Sequence, residues 1–391
     1  MNETFIISNI KVLSEKGYKE LSGLMNGEKV YFRVPDKFDL YPMAECFLGI
    51  ALLEAMASNR TIIFDDEVTL SKELYDRFHE IQAIYSCWNT GLNIVELEAN
   101  VSGESIVFDS VGSFFSAGVD SSHTLLRNKE DISHLILFRA FDSGNDEISW
   151  QQRVVKQTNF AESLGKTLIP VDTNAREWVD SRKISWSFAH GLFLSSIGGI
   201  FGMKRIYVPS SHTYAELFPW GSHPLSDPMW STESTTVIHD GAGYRRGDKM
   251  RDLLKESILA DNLQVCWSST LENCGECSKC IRTMVAVNLL GGEIKSLPAL
   301  REIKNLKTLK ATDESGATFL EDAMILAKNS GNIEIYKILK HYYRRYQIGL
   351  ILPLLDRYLL GNFLRCLYRK IKKPDWLNYR VTLRESNGRD R

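Results

Sequence analysis

From about Ser105 onward the chain alternates short apolar runs with helical ones, and this alternation restricts its fold more than any other feature of the 391 residues. "SIVFDSVGSFF", "HLILF", "KTLIPV" and "KRIYVPSS" read as strands, while "WQQRVVKQTNFAESLG" and "ISWSFAHGLFLSSIGGIFG" read as helices between them. Strands alternating with helices predict an α/β fold, with a mostly parallel sheet covered by helices on both faces. Ligands of such sheets sit beyond the C-terminal strand ends.

The flanks read differently. Residues 1–104 predict a small α/β unit: strands at "FIISNIKV", "KVYFRV" and Thr61–Phe64, a buried helix at "YPMAECFLGIALLEAMAS", and a second helix after a Ser71 cap. Residues 297–391 predict a helical, basic region, and residues 105–296 the sheet domain between them. From Lys340 to Arg391 there are thirteen Lys and Arg against four Asp and Glu, which marks this end as the basic one. A net charge of -2 gives no global field for nucleic acid or membrane. No apolar run reaches the length of a membrane span, and the first residues lack a secretory pattern, so the expected compartment is the cytoplasm.

The first predicted strand of the sheet domain ends in Ser116-Ala117-Gly118-Val119-Asp120-Ser121-Ser122, followed by a helical stretch. Small residues let backbone N–H groups converge at a helix start, where the partial positive charge suits a phosphate. The serines also serve as ordinary helix caps. "LGKTLIP" is not a second such site, because Phe160 stands where a phosphate loop needs glycine and a strand follows.

The cluster resembles the S-G-G-x-D-S-S signature of the PP-loop ATP pyrophosphatases, which include GMP synthetase, asparagine synthetase, argininosuccinate synthetase and 7-cyano-7-deazaguanine synthase. The resemblance implies that Ser116, Ala117, Gly118, Asp120, Ser121 and Ser122 bind the pyrophosphate part of ATP, with Asp120 meeting Mg²⁺ or orienting the loop. Ala117 replaces the signature's first glycine; at positive φ an alanine costs about 1 kcal/mol. Enzymes of this class often dimerise, so the resemblance also implies a homodimer.

Four of the seven cysteines, Cys266, Cys274, Cys277 and Cys280, are spaced C-x7-C-x2-C-x2-C, with Gly275 at the bend. Four thiolates at this spacing predict a closed structural Zn²⁺ site. Cys46, Cys87 and Cys366 read as inert packing thiols. 7-Cyano-7-deazaguanine synthases carry a similar motif, C-x8-C-G-x-C-x2-C-x2-R, after their PP-loop. Here the first gap is one residue shorter and Arg282 follows the last cysteine after one residue. The resemblance spans roughly Phe108 to Gly292.

Other candidates lie between the fourth strand and the next helix. Tyr214, Trp220 and Trp230 are read as stacking on a planar heterocycle or as ordinary packing. His223, Asp227, Glu233, His239 and Asp240 supply acids and bases. Arg245 and Lys249, four apart at a helix start, are read as facing a triphosphate or as a solvated basic face. Tyr342, Tyr343, Tyr346 and Trp376 interleave with the C-terminal charges, which suits a tRNA or protein partner, or simple helix packing.

The resemblance implies an ATP-dependent enzyme that adenylates a carboxylate or amide with release of pyrophosphate, then forms a C–N bond with ammonia or an amine. Asp120, Lys249 and Arg245 are its expected catalytic residues, and a deazapurine acid its expected acyl substrate. The alternatives are tRNA or protein modification through an adenylated small molecule, and a scaffold that binds ATP without turnover.

Overall fold

The computed structural model describes residues 4–65, 67–139, 146–267, 271–300, 302–311, 313–361, 363, 364 and 367. Cys366, Trp376 and the end of the basic tail lie outside them. The chain opens with three strands paired as hairpins, β1 (Thr4–Glu15), β2 (Tyr18–Met25) and β3 (Glu28–Pro35). The β2–β3 turn is Asn26-Gly27, with φ of 50° and 82°, the left-handed pair that a two-residue hairpin requires. There follow α1 (Glu45–Ser58), β4 (Thr61–Asp65), the short β5 (Leu70–Ser71), α2 (Lys72–Trp88), and the short β6 (Leu97–Glu98) and β7 (Val101–Ser102). Ser71 caps α2 as expected, its Oγ accepting from the Leu74 amide at 3.1 Å.

The predicted alternation then runs through β8 (Ser110–Phe114), α3 (Val119–Arg127), β9 (His134–Phe138), α4 (Glu147–Ser163), β10 (Thr167–Thr173), α5 (Ala175–Ser181), α6 (Trp186–Ser196), β11 (Met203–Pro209) and β12 (Thr236–Asp240). Gly165, at φ 65°, ends α4 and releases the chain into β10. The chain closes with helices α7 (Arg246–Leu253), α8 (Ser257–Ala260), α9 (Ser278–Leu289), α10 (Glu314–Asn329) and α11 (Ile333–Leu360), and no helix among the described residues is long and apolar enough to cross a membrane.

Ten strands form one mostly parallel sheet in the order β12-β11-β8-β9-β10-β3-β2-β1-β4-β6. β8 to β12 are parallel to one another, and β3 joins β10 antiparallel through Asp172 opposite Arg33 and Thr173 opposite Phe32. The opening strands therefore extend the same sheet. Its faces bury different helices. One apolar core takes α1, α2, α5 and α6 with Phe32, Phe47, Phe188 and Ile206; the other takes α3, α4, α7, α9 and α10 with Val111, Leu135, Tyr207 and Leu320.

The order also locates the mouth of a crevice. From β8 the chain winds outward through β9 and β10, then crosses back to place β11 and β12 on the other side of β8. The reversal between β8 and β11 is a topological switch point, where the connections leave in opposite directions and open a cleft beyond the strand ends.

One side of that cleft depends on two glycines. A Cβ on Gly191 of α6 would stand 1.8 Å from the Gly221 carbonyl oxygen, and one on Gly221 2.7 Å from the Phe188 carbonyl oxygen. Gly191→Ala therefore forces two backbones apart, with an expected loss of about 3 kcal/mol or more in urea unfolding. Gly243→Ala, where an added Cβ meets no atom within 4 Å, should match the wild type in the same measurement.

Candidate functional site

The small-residue cluster lies at the switch point. It leaves β8, turns, and starts α3, whose first turn faces the cleft. Ala117 is fully buried and adopts φ 59°, so the residue that departs from the glycine signature occupies the left-handed position. The turn binds itself together. Ser121 Oγ accepts from the Ser116 amide at 3.3 Å and donates to the Gly118 carbonyl at 3.2 Å, while Ser116 Oγ accepts from the Gly118 amide at 3.3 Å. The Ala117 carbonyl accepts from the Gln264 amide at 2.7 Å, which ties the turn to the segment leading into Cys266. Ser122 is buried behind the turn.

Asp120 is held by two cations. Lys249 Nζ lies 2.8 Å from Oδ1 and also donates to the Ser210 carbonyl, and Arg246 Nη1 lies 3.2 Å from Oδ2. Burial alone would raise the Asp120 carboxyl; Lys249 and Arg246 outweigh it and hold the group well below the usual carboxylate range. With both oxygens engaged, Asp120 suits the orienting role rather than a free ligand position. Arg245 points elsewhere and pairs with Glu216. The reason is local: Arg245 is the N-cap of α7 at ψ 156°, so the helix begins at Arg246 and the spacing that matters is 246 to 249.

The turn opens onto a cavity of about 670 Å³, within the ordinary range for small-molecule sites. Ser116, Gly118, Asp120 and Ser121 line it, with Arg153, Arg246 and Arg282. Burial first, then the Arg246 charge, lower the pKa of the Arg282 guanidinium. Trp186, His190 and Trp220 line it as well. His190 is 5.4 Å from Trp220 between ring centroids, and its Nδ1 bonds the Trp186 carbonyl at 2.9 Å.

The other sequence candidates divide plainly. Trp220 lines the cavity, Trp230 is buried in the core, and Tyr214 is exposed away from it. Asp240 clamps α3, accepting from Thr124 Oγ1 at 2.8 Å and Arg127 Nη1 at 2.7 Å. Glu233 accepts from Ser71 Oγ at 2.6 Å and the Glu73 amide at 2.9 Å, so it finishes the cap of α2. Asp227 bonds His239 Nδ1 at 2.8 Å and Ser222 Oγ at 2.7 Å, which braces the loop behind Trp220, and His223 packs on Trp88 with centroids 5.0 Å apart. Arg246, Arg282, Trp186 and His190 carried no site reading of their own in the sequence; Arg282 marked only the cysteine motif.

Cys266, Cys274, Cys277 and Cys280 converge, their sulfurs all within 4.8 Å of one another. Cys274 Sγ is 3.9 Å from Cys280 Sγ, and Cys277 Sγ 3.9 Å from Cys266 Sγ. A tetrahedron with Zn–S bonds of about 2.3 Å has edges of about 3.8 Å, so the four thiols can hold a metal ion such as zinc. Gly275 takes φ 71° at the bend, and the Cys277 and Cys280 amides donate to Cys274 Sγ at 3.3 Å and Cys277 Sγ at 3.5 Å, as expected around thiolate ligands. The ligand loop starts α9, whose Ser278, Lys279 and Arg282 line the cavity. No family model, curated protein or solved structure matches this chain.

Three outcomes follow from this geometry. Ala117→Gly should raise stability by about 1 kcal/mol in urea unfolding by relieving the left-handed alanine. Cys277→Ser should lower bound metal, measured by mass spectrometry of the native protein, and remove several kcal/mol of stability. The third concerns Asp322 of α10, whose Oδ2 accepts from the Gly247 amide at 2.9 Å. Burial raises its carboxyl from 3.8 to about 6, against the pull of that amide and of Arg245. Between these values the folded state holds a proton that the unfolded chain has lost, so stability falls as pH rises through the window. Asp322→Asn keeps the acceptor, and unfolding curves at pH 4 to 7 should lose that fall.

Proposed function

We propose that this chain is an ATP-dependent enzyme of the PP-loop class that adenylates a carboxylate or amide oxygen of a small molecule, then joins the activated carbon to ammonia or an amine. The activity is 7-cyano-7-deazaguanine synthase-like. One observation carries the reading: a serine-rich turn at the switch point, leading into a helix start, faces a cavity that also presents arginine side chains. Amides at a helix start and guanidinium groups are the donors that a polyphosphate needs.

The chemistry assigns these two groups of lining residues to the two substrates. The nucleotide's phosphate chain lies against the turn, bringing Mg²⁺ with it, and the acyl substrate lies toward Trp186, His190 and Trp220. The substrate oxygen attacks the α-phosphorus as the bond to the pyrophosphate oxygen breaks. The amine then attacks the acyl carbon, AMP departs, and the amine proton passes to solvent. Donors already in place at the turn and on Arg246 stabilise the charge that develops on the phosphates.

The reading is tested by pyrophosphate release from Mg-ATP by metal-loaded protein, with and without 7-carboxy-7-deazaguanine. Release should require an acyl substrate, and Asp120→Ala should slow it by about 100-fold, because Lys249 and Arg246 lose their counterion and the turn its latch. Equal release by wild type and variant would place the activity elsewhere. No release, with ATP still bound, would favour a nucleotide-binding scaffold.

A further inference from the structure

Part of the cavity wall comes from the chain after residue 297, beyond the stretch over which the sequence resembles the family. Lys310, Asp313, Ser315, Gly316 and Phe319 line it. This wall is braced from behind. Asp322 accepts from the Gly247 amide at 2.9 Å, and Ser315 Oγ bonds His212 Nε2 at 3.2 Å, so α10 is fixed against α7 and against the loop after β11.

Phe319 is where that wall meets the cations. The Arg282 guanidinium stands over its ring, 3.8 Å from the centroid, and Arg246 approaches the same ring at 5.7 Å. The two arginines are not equivalent. Arg246 donates to Asp120. Arg282 has no hydrogen bond or ion pair with any described residue, although it lines the cavity. A guanidinium lying on an aromatic face is attracted through its plane and keeps its in-plane N–H donors for something else. A guanidinium whose donors find no partner among the described residues, on the wall of a cavity that a helix start also lines, calls for a ligand with several anionic oxygens.

We infer that Arg282, seated on Phe319, is the second grip on the nucleotide's phosphate chain, in the cavity that the Ser116–Ser122 turn also lines, and that α10 is a wall of the active site. This rests on the adenylation reading, which supplies the polyphosphate. Phe319 acts as a positioning residue: its ring sets the plane in which Arg282 presents its donors. The cysteine loop holds the other end of the same arrangement, since Arg282 lies on the helix that Cys277 caps.

Calorimetric titration of full-length, metal-loaded protein with inorganic pyrophosphate and with Mg-ATP tests the assignment. The variants are Arg282→Gln, Arg282→Lys, Phe319→Leu and Phe319→Trp, each checked for bound metal and thermal unfolding. Wild type should bind both ligands. Arg282→Gln should weaken both by at least about tenfold, and Arg282→Lys by less, as expected when a charge-assisted contact is lost or replaced by a point charge. Phe319→Leu keeps the apolar packing but not the ring face, and should weaken binding about threefold or more; Phe319→Trp should restore it. A packing role would not distinguish leucine from tryptophan in that direction. Wild-type affinity in Arg282→Gln and Phe319→Leu overturns this inference and leaves the adenylation reading standing. Absence of binding by wild type itself overturns both.

Discussion

Lys249 places an ammonium ion where only 1% of the residue reaches solvent, and it is stable there because Asp120 and the Ser210 carbonyl accept from it. The charge adds one tie among three pieces of chain that strand pairing and a shared apolar core already bring together: the turn after β8, the end of β11 and helix α7. Removing either partner leaves a buried charge without compensation, which is far more costly than the pair's net worth. Arg246 adds a second tie to the same carboxylate. These ion pairs help fix the direction of the first turn of α3, and burial of the Lys249 ammonium leaves little screening by salt.

Much of this was legible in the sequence, for local reasons. The alternation after Ser105 gave the parallel strands because each strand is bounded by residues that stop it. Ser71 and Gly165 acted through cap and turn chemistry that needs only their immediate neighbours. β2 was not legible by alternation: it is a central strand with a run of four buried residues, and Gly23 leaves its Cβ space to the Phe47 ring, 2.9 Å away. The Asn26-Gly27 pair is the local signal that marks it. "SIVFD" was apolar enough to suggest strand, yet Val107 is 88% exposed, the Ile106 amide donates to Ser234 Oγ, and β8 begins only at Ser110.

The site was legible where it depends on spacing within one turn and obscure where it depends on tertiary approach. The serine turn and the four thiols are each nearly contiguous, so their residue types and gaps sufficed. Arg245 and Lys249 share a spacing that matters only if both lie inside a helix, and a one-residue difference in where α7 begins exchanged Arg245 for Arg246. Arg282 and Phe319 meet across 37 positions of sequence, by the packing of α10 on α9 and α7, and no periodicity within either segment encodes that contact. His223, Glu233 and Asp240 show the converse: acids and bases whose chemistry is absorbed by caps and braces.

A chain with net charge of -2 nevertheless directs Arg153, Arg246, Lys279, Arg282 and Lys310 toward one cavity, against Asp120 and Asp313. Like charges gathered in a cleft repel, and their desolvation adds to the penalty, so such a cluster persists only if the scaffold around it is stronger than the repulsion. Two further features of the sequence are placed to supply that strength. The four-thiol loop can anchor the start of α9 through a metal ion, at the end from which Lys279 and Arg282 project. The C-terminal region brings Phe319, whose ring face offsets part of the repulsion between Arg282 and Arg246 without consuming a hydrogen-bond donor of either. The cation cluster has compensating groups spread around it: a carboxylate at the turn and a π-face at the wall.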